Sequence, residues 1–277
     1  MTTVLGGPVV AGVDGRPEGL DALALAERLA ALEDAELVVV AAYPYAPLSS
    51  RILDGPTDAA GAARALDDAR RALGRRPAEL ITVPGSSPGR TLHEVAESGG
   101  AALIVVGSSH HGPAGRLVLG GVTAETLRRA PCAVGVAPRG WADGARVLNR
   151  IGVAVDGSVR DGSAVELAAR LAERVGPRAA VHTIHVESAM PRSRGLQEVD
   201  ATVQLEGEPA DALAAHSAEL DLLVLGSRGR GHLGAVVLGS VAARLIGMAR
   251  CPVLALPSRV PEDRAVGAVA TRIDAGP

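Results

Sequence analysis

The residues best suited to chemistry form a glycine-rich run, Gly226-Ser227-Arg228-Gly229-Arg230-Gly231-His232-Leu233-Gly234, followed by Gly239-Ser240-Val241. The spacing is Gly-x2-Gly-x9-Gly-Ser, and it leads from an apolar run into a helical pattern. Glycine has no Cβ to hold a ligand off the backbone, so its N–H groups can approach an anion closely. Gly239-Ser240 stands where a helix begins. Free N–H groups and the helix dipole favour a phosphate there, and the Ser240 hydroxyl can cap the helix or donate to the ligand. Asp156 ends a short apolar run, a position from which a carboxylate accepts hydrogen bonds from an adenine amino group or a ribose hydroxyl. The same Asp-Gly pair also suits a plain turn.

Other candidates carry less. His110 and His111 are adjacent, so they face different ways, and no Cys or acidic partner stands at ligand spacing; no metal site is read. Cys132 and Cys251 precede the same kind of apolar run and read as buried small hydrophobes rather than a redox pair. All basic charge is arginine, since the chain has no lysine, which excludes a Walker-type phosphate lysine or a Schiff base. No side chain is read as an activated nucleophile, and no catalytic residue is assigned.

The 277 residues carry a net charge of −3 and only one Trp, two Tyr and no Phe. Neither a basic surface nor stacking aromatics are therefore available for nucleic acid. No apolar run approaches the length that spans a membrane, and the N-terminal residues lack the pattern of a signal peptide. With two cysteines and no disulfide framework, a cytoplasmic protein is expected.

The elements that must position these residues repeat. Val9–Gly15 matches Ile151–Gly157, with Asp14 and Asp156 142 residues apart. Leu103–Ser108 matches Leu222–Ser227 at an offset of 119, shared by Gly120 with Gly239 and Cys132 with Cys251. The difference, 142 less 119, leaves the second copy 23 residues shorter in its middle. Each copy alternates short apolar runs with helical patterns, which predicts βαβ units and a parallel sheet. Strands are expected over Val9–Val13, Glu36–Ala42, Leu80–Val83, Ala102–Val106 and Ala133–Ala137. In the second copy they are expected near 151–155, 179–186, 201–205, 221–225 and 253–256. The gap between His185 and Thr202 predicts a second helix that is shortened or missing.

The ordered set of strand-end Asp-Gly, the Val-Val-Gly-Ser type of strand end, the Gly-x2-Gly-x9-Gly-Ser loop and the Cys-Pro-Val strand resembles the universal stress protein family. The resemblance covers nearly the whole chain, twice. It implies an α/β fold of two Rossmann-like domains, each an open five-stranded parallel sheet flanked by helices. The first would span 1–138 and the second 150–258, with a linker over 139–149 and a tail over 259–277. It also implies ATP or a related adenine nucleotide as ligand, with Mg2+ as an optional companion, and a regulatory role in the stress response. Adenine contacts then fall on Asp156 and Val186. Phosphate and ribose contacts fall on Gly226, Arg228, Gly229, Gly239, Ser240 and Val241. The first copy keeps Asp14, Gly107 and Gly120 as a second site, but His110 replaces the loop's second glycine and Gly120-Gly121 replaces Gly-Ser. The alternative is a scaffold without nucleotide, in which the two domains form a pseudo-dimer through Ala133–Ala137 and Val253–Leu256 and bind a protein partner. Further homodimerisation stays open.

Overall fold

The structure, a computed structural model, describes residues 6–45, 56, 58–108, 120–128, 130–144, 147–155, 161–187, 202–226 and 240–256. Elements alternate along the chain. β1 (Val9–Gly12), α1 (Pro17–Glu33), β2 (Leu37–Pro44), α2 (Ala59–Leu73) and β3 (Glu79–Gly85) come first. They are followed by α3 (Pro88–Ser98), β4 (Leu103–Gly107), α4 (Gly121–Leu127) and β5 (Ala133–Ala137). After a 3-10 turn over Trp141–Asp143 come β6 (Arg150–Ala154), α5 (Asp161–Val175), β7 (Ala180–Glu187) and β8 (Val203–Glu206). The order closes with α6 (Pro209–His216), β9 (Leu222–Leu225), α7 (Ser240–Met248) and β10 (Val253–Ala255).

Local sequence explains several of these boundaries. Pro17 opens α1 at a position where its missing N–H costs nothing. Asp34 ends that helix in the left-handed conformation, at φ 51°, with its N–H donating to the Ala30 carbonyl. Asp58 caps α2 by accepting from the Gly61 N–H at 2.7 Å. The inner strands β1 and β4 are apolar and buried on both faces, as a covered parallel sheet requires.

The two expected five-stranded sheets are halves of one ten-stranded sheet, in the order β3-β2-β1-β4-β5-β10-β9-β6-β7-β8. Within each half every pairing is parallel, while β5 and β10 join antiparallel, with Val136 opposite Val253 and Val134 opposite Ala255. The two core layers also run through this join. One face packs α1, α2 and α5 over residues such as Val105, Ile151 and Leu254. The other packs α3, α4, α6 and α7 over Val134, Val253 and Leu223. Buried Asp21 of α1 ties down the turn that follows β5: its carboxylate accepts the Gly140 N–H at 2.9 Å and the Ala142 N–H at 2.7 Å. Asp221 does the same for the start of β6, accepting the N–H groups of Asn149 and Arg150, each at 2.8 Å.

The strands fall where the apolar runs predict them, with ends shifted by at most two residues. The shortened helix expected between β7 and β8 falls over 188–201, outside the described residues, and so does the expected tail.

Candidate functional site

In an open parallel sheet, ligands bind beyond the carboxyl ends of the strands where the strand order reverses. This sheet has two such points. One lies between β1 and β4, where the chain moves outward to β2 on one side and β5 on the other. The second lies between β6 and β9. The expected site residues divide between them.

At the first point the structure brings Asp14 and Gly107 together around a cavity of about 550 Å³. That size suits a small organic ligand. The cavity reaches from the ends of β1 and β2 to the first turns of α3 and α4, with Val40, Ala42, Leu92 and Val106 among its apolar walls. Asp14 follows β1 and folds back onto α1: its Oδ1 accepts the Arg16 N–H at 3.1 Å, and Arg16 Nε lies 3.9 Å from Oδ2. Burial pushes the Asp14 carboxyl above its ordinary value, against the lowering effect of the Arg16 N–H and guanidinium. Gly19 makes this fold-back fit, because a Cβ there would stand 2.8 Å from Asp14 Oδ1.

Gly107, the last residue of β4, is a glycine for a similar reason. A Cβ on it would lie 2.1 Å from the Glu18 carbonyl oxygen of α1. Its own carbonyl accepts from the Thr123 hydroxyl at 2.8 Å, which ties α4 to the strand end. Gly120 caps α4 with its backbone alone, its carbonyl accepting the Ala124 N–H at 2.8 Å, and Gly121 stands where the second copy has Ser240. His110 lies outside the described residues.

Sequence reasoning missed Glu125, which lines this cavity from α4. It accepts from the Ser87 hydroxyl and, at 3.2 Å, from the Gly89 N–H, so a carboxylate of one helix caps the start of another. No local signal in the sequence marks Glu125; its partner Ser87 sits in a Gly-x-Ser-x-Gly spacing, Gly85-Ser86-Ser87-Pro88-Gly89. That spacing suggests an exposed nucleophile on a strained strand-to-helix turn. Here Ser87 has ordinary extended backbone (φ −159°, ψ 151°) and its hydroxyl donates straight to a carboxylate. The geometry is that of a helix cap.

At the second point, β9, β6 and β7 lie side by side and parallel, with Ala154 opposite both Leu225 and Ile184. Gly226 directly follows β9 and is half-buried, and Val186 is a half-buried residue near the end of β7. Ser240 is the first residue of α7, and Val241, half-buried, the second. His185 is buried next to the end of β6, its Nδ1 3.1 Å from the Val155 carbonyl oxygen. Asp156, Arg228, Gly229 and Gly239 lie outside the described residues. Glycine thus stands at the strand end and serine at the helix start, the order an anion loop needs.

Among the described residues there is no group of three His, Cys, Asp or Glu side chains arranged to hold a metal ion, and no helix long and apolar enough to cross a membrane. Both cysteines are buried and free, and burial pushes each thiol up to about 12.

The profile of the universal stress protein family matches residues 7–138 and 189–257. The chain belongs to this family. Among curated relatives, a universal stress protein of Mycobacterium tuberculosis is 29% identical over 286 residues, spanning 89% of this chain and 95% of the relative. A universal stress protein of Thermus aquaticus is 42% identical over 62 residues, which is 22% of this chain and 44% of the relative. Among solved structures, a universal stress protein from Archaeoglobus fulgidus superimposes with a TM-score of 0.62 at 17% identity, covering 91% of this chain and 98% of the other. This tandem universal stress protein therefore shares its whole two-part architecture, and not a single repeat alone, with solved members of the family.

Proposed function

We propose that this universal stress protein is a regulatory binding protein of the stress response. Its principal ligand is ATP or a related adenine nucleotide, held at the second switch point. The observation that carries this reading is the unbroken Gly226-x2-Gly229-x9-Gly239-Ser240 pattern between β9 and α7, beside the strand-end Asp156. In this reading Asp156 and the backbone at Val186 recognise the adenine. Gly226, Gly229 and Gly239 present N–H groups to ribose and phosphate, with Ser240 donating from the start of α7 and Val241 packing behind it. Arg228 supplies the positive charge that a lysine-free chain takes from arginine. Mg2+ accompanies the phosphates. The buried, unpaired cysteines agree with a reducing cytoplasm as the place of action.

The test is an ATP titration of the purified chain beside its Gly229→Asp variant. The wild type binds ATP, and a carboxylate in the loop weakens it at least about tenfold by repelling phosphate. Equal isotherms for the two proteins would refute this assignment.

A further inference from the structure

The two repeats differ in charge at the positions that correspond around their switch points. Three carboxylates, Asp14, Glu18 and Glu125, line the first cavity. Of the two arginines beside them, Arg16 is engaged with Asp14, which leaves Arg128 at the rim. Applying the repeat offsets, the counterpart of Glu18 is Arg160 and that of Glu125 is Arg244. Arg244 is itself held by Asp211 at 2.9 Å and by Glu208 at 3.9 Å. The counterparts of Ser109 and His111 are Arg228 and Arg230. Of these positions, only the strand-end aspartate keeps its charge in both repeats.

Glu125 matters most for what the first cavity can accept. The start of α3 would ordinarily attract an anion. There the Ser87 hydroxyl and the Gly89 N–H already donate to the Glu125 carboxylate. A phosphate entering the cavity would meet that fixed negative charge and the one on Glu18, while Gly121 offers no hydroxyl where the second repeat has Ser240. The described walls of the cavity carry no such bar to an uncharged ligand. Its volume of about 550 Å³, its apolar walls at Val40, Ala42, Leu92 and Val106, and the half-buried Asp14 carboxylate remain suited to a flat polar ring system.

We propose that the first cavity binds an uncharged nucleoside, the base and sugar without phosphate, so that one chain reads two forms of one ligand. This rests on the assignment of adenine nucleotide to the second repeat, and extends it by giving the first repeat the opposite preference. Asp14 accepts from the base or ribose, and Glu18 and Glu125 exclude phosphate esters.

The experiment uses the full chain carrying Gly229→Asp, which disables the phosphate loop of the second repeat. Calorimetry should show one equivalent of adenosine bound, with AMP and ATP at least about tenfold weaker. Adding Asp14→Ala should weaken adenosine at least about tenfold, whereas adding Asp156→Ala should not. If Asp14→Ala fails to fold by circular dichroism, Ala42→Val, which narrows the cavity, should give the same loss. The isosteric pair Glu18→Gln and Glu125→Gln should raise AMP affinity about tenfold while leaving adenosine within about threefold. No adenosine binding, binding of AMP as tight as adenosine, or adenosine binding that depends on Asp156 alone would each overturn the proposal. The two readings fail separately. Wild-type ATP binding that Gly229→Asp abolishes upholds the second-repeat site whatever adenosine does. Adenosine binding with no wild-type ATP binding sinks that site and leaves the cavity.

Discussion

Asp14 shows how one residue serves position and chemistry at once. Burial raises its carboxyl, so the folded chain holds the ionised form at a cost. The sign follows: the cost is absent below the ordinary carboxylate value, and stability falls as pH rises from there through the raised folded value. Asp14→Asn keeps the acceptor for the Arg16 N–H and removes the charge. It should therefore melt higher than wild type at pH 7, and the gap should close as pH is lowered toward 3.8. A gap that stays constant with pH would contradict the account. The two thiols make a second residue-scale case. Lifted to about 12 and buried, Cys132 and Cys251 should resist alkylation at pH 8 in the native protein, and both should label in denaturant.

At the scale of elements, glycines set how closely helices approach strand ends. Gly107→Ala places a Cβ against the Glu18 carbonyl, where backbone rather than a flexible side chain must give way. Urea unfolding should show a loss of about 2 kcal/mol. Asp21→Ala strips the Gly140 and Ala142 N–H groups of their acceptor, for a loss of about 2 kcal/mol in the same measurement. The strands were legible in the sequence because each is a short Val- and Leu-rich run bounded by turn residues, and the Asp14–Gly107 pairing followed from the repeat. Glu125 was not. Its role depends on α4 packing against α3 across 36 residues of chain, a contact that no local period announces. Asp21 was equally hidden, since a carboxylate inside an Ala-Leu helix reads as surface until the linker is seen lying on it.

At the scale of the molecule, the join between β5 and β10 makes one sheet of two repeats, and both core layers cross it. Thermal unfolding should be a single cooperative event. The fluorescence of Trp141, the sole tryptophan, which packs on the core from the inter-repeat turn, should change together with far-ultraviolet circular dichroism. Two resolved transitions would mean that the halves hold themselves independently. The same join places the two switch points in a single sheet. The account stands or falls on the second of them. Its most direct test is calorimetric titration of the wild-type chain with ATP beside Gly229→Asp. The wild type should give a saturable isotherm, and the variant should bind at least about tenfold more weakly; no binding by the wild type, or equal binding by both, would rule out a nucleotide site at the second switch point.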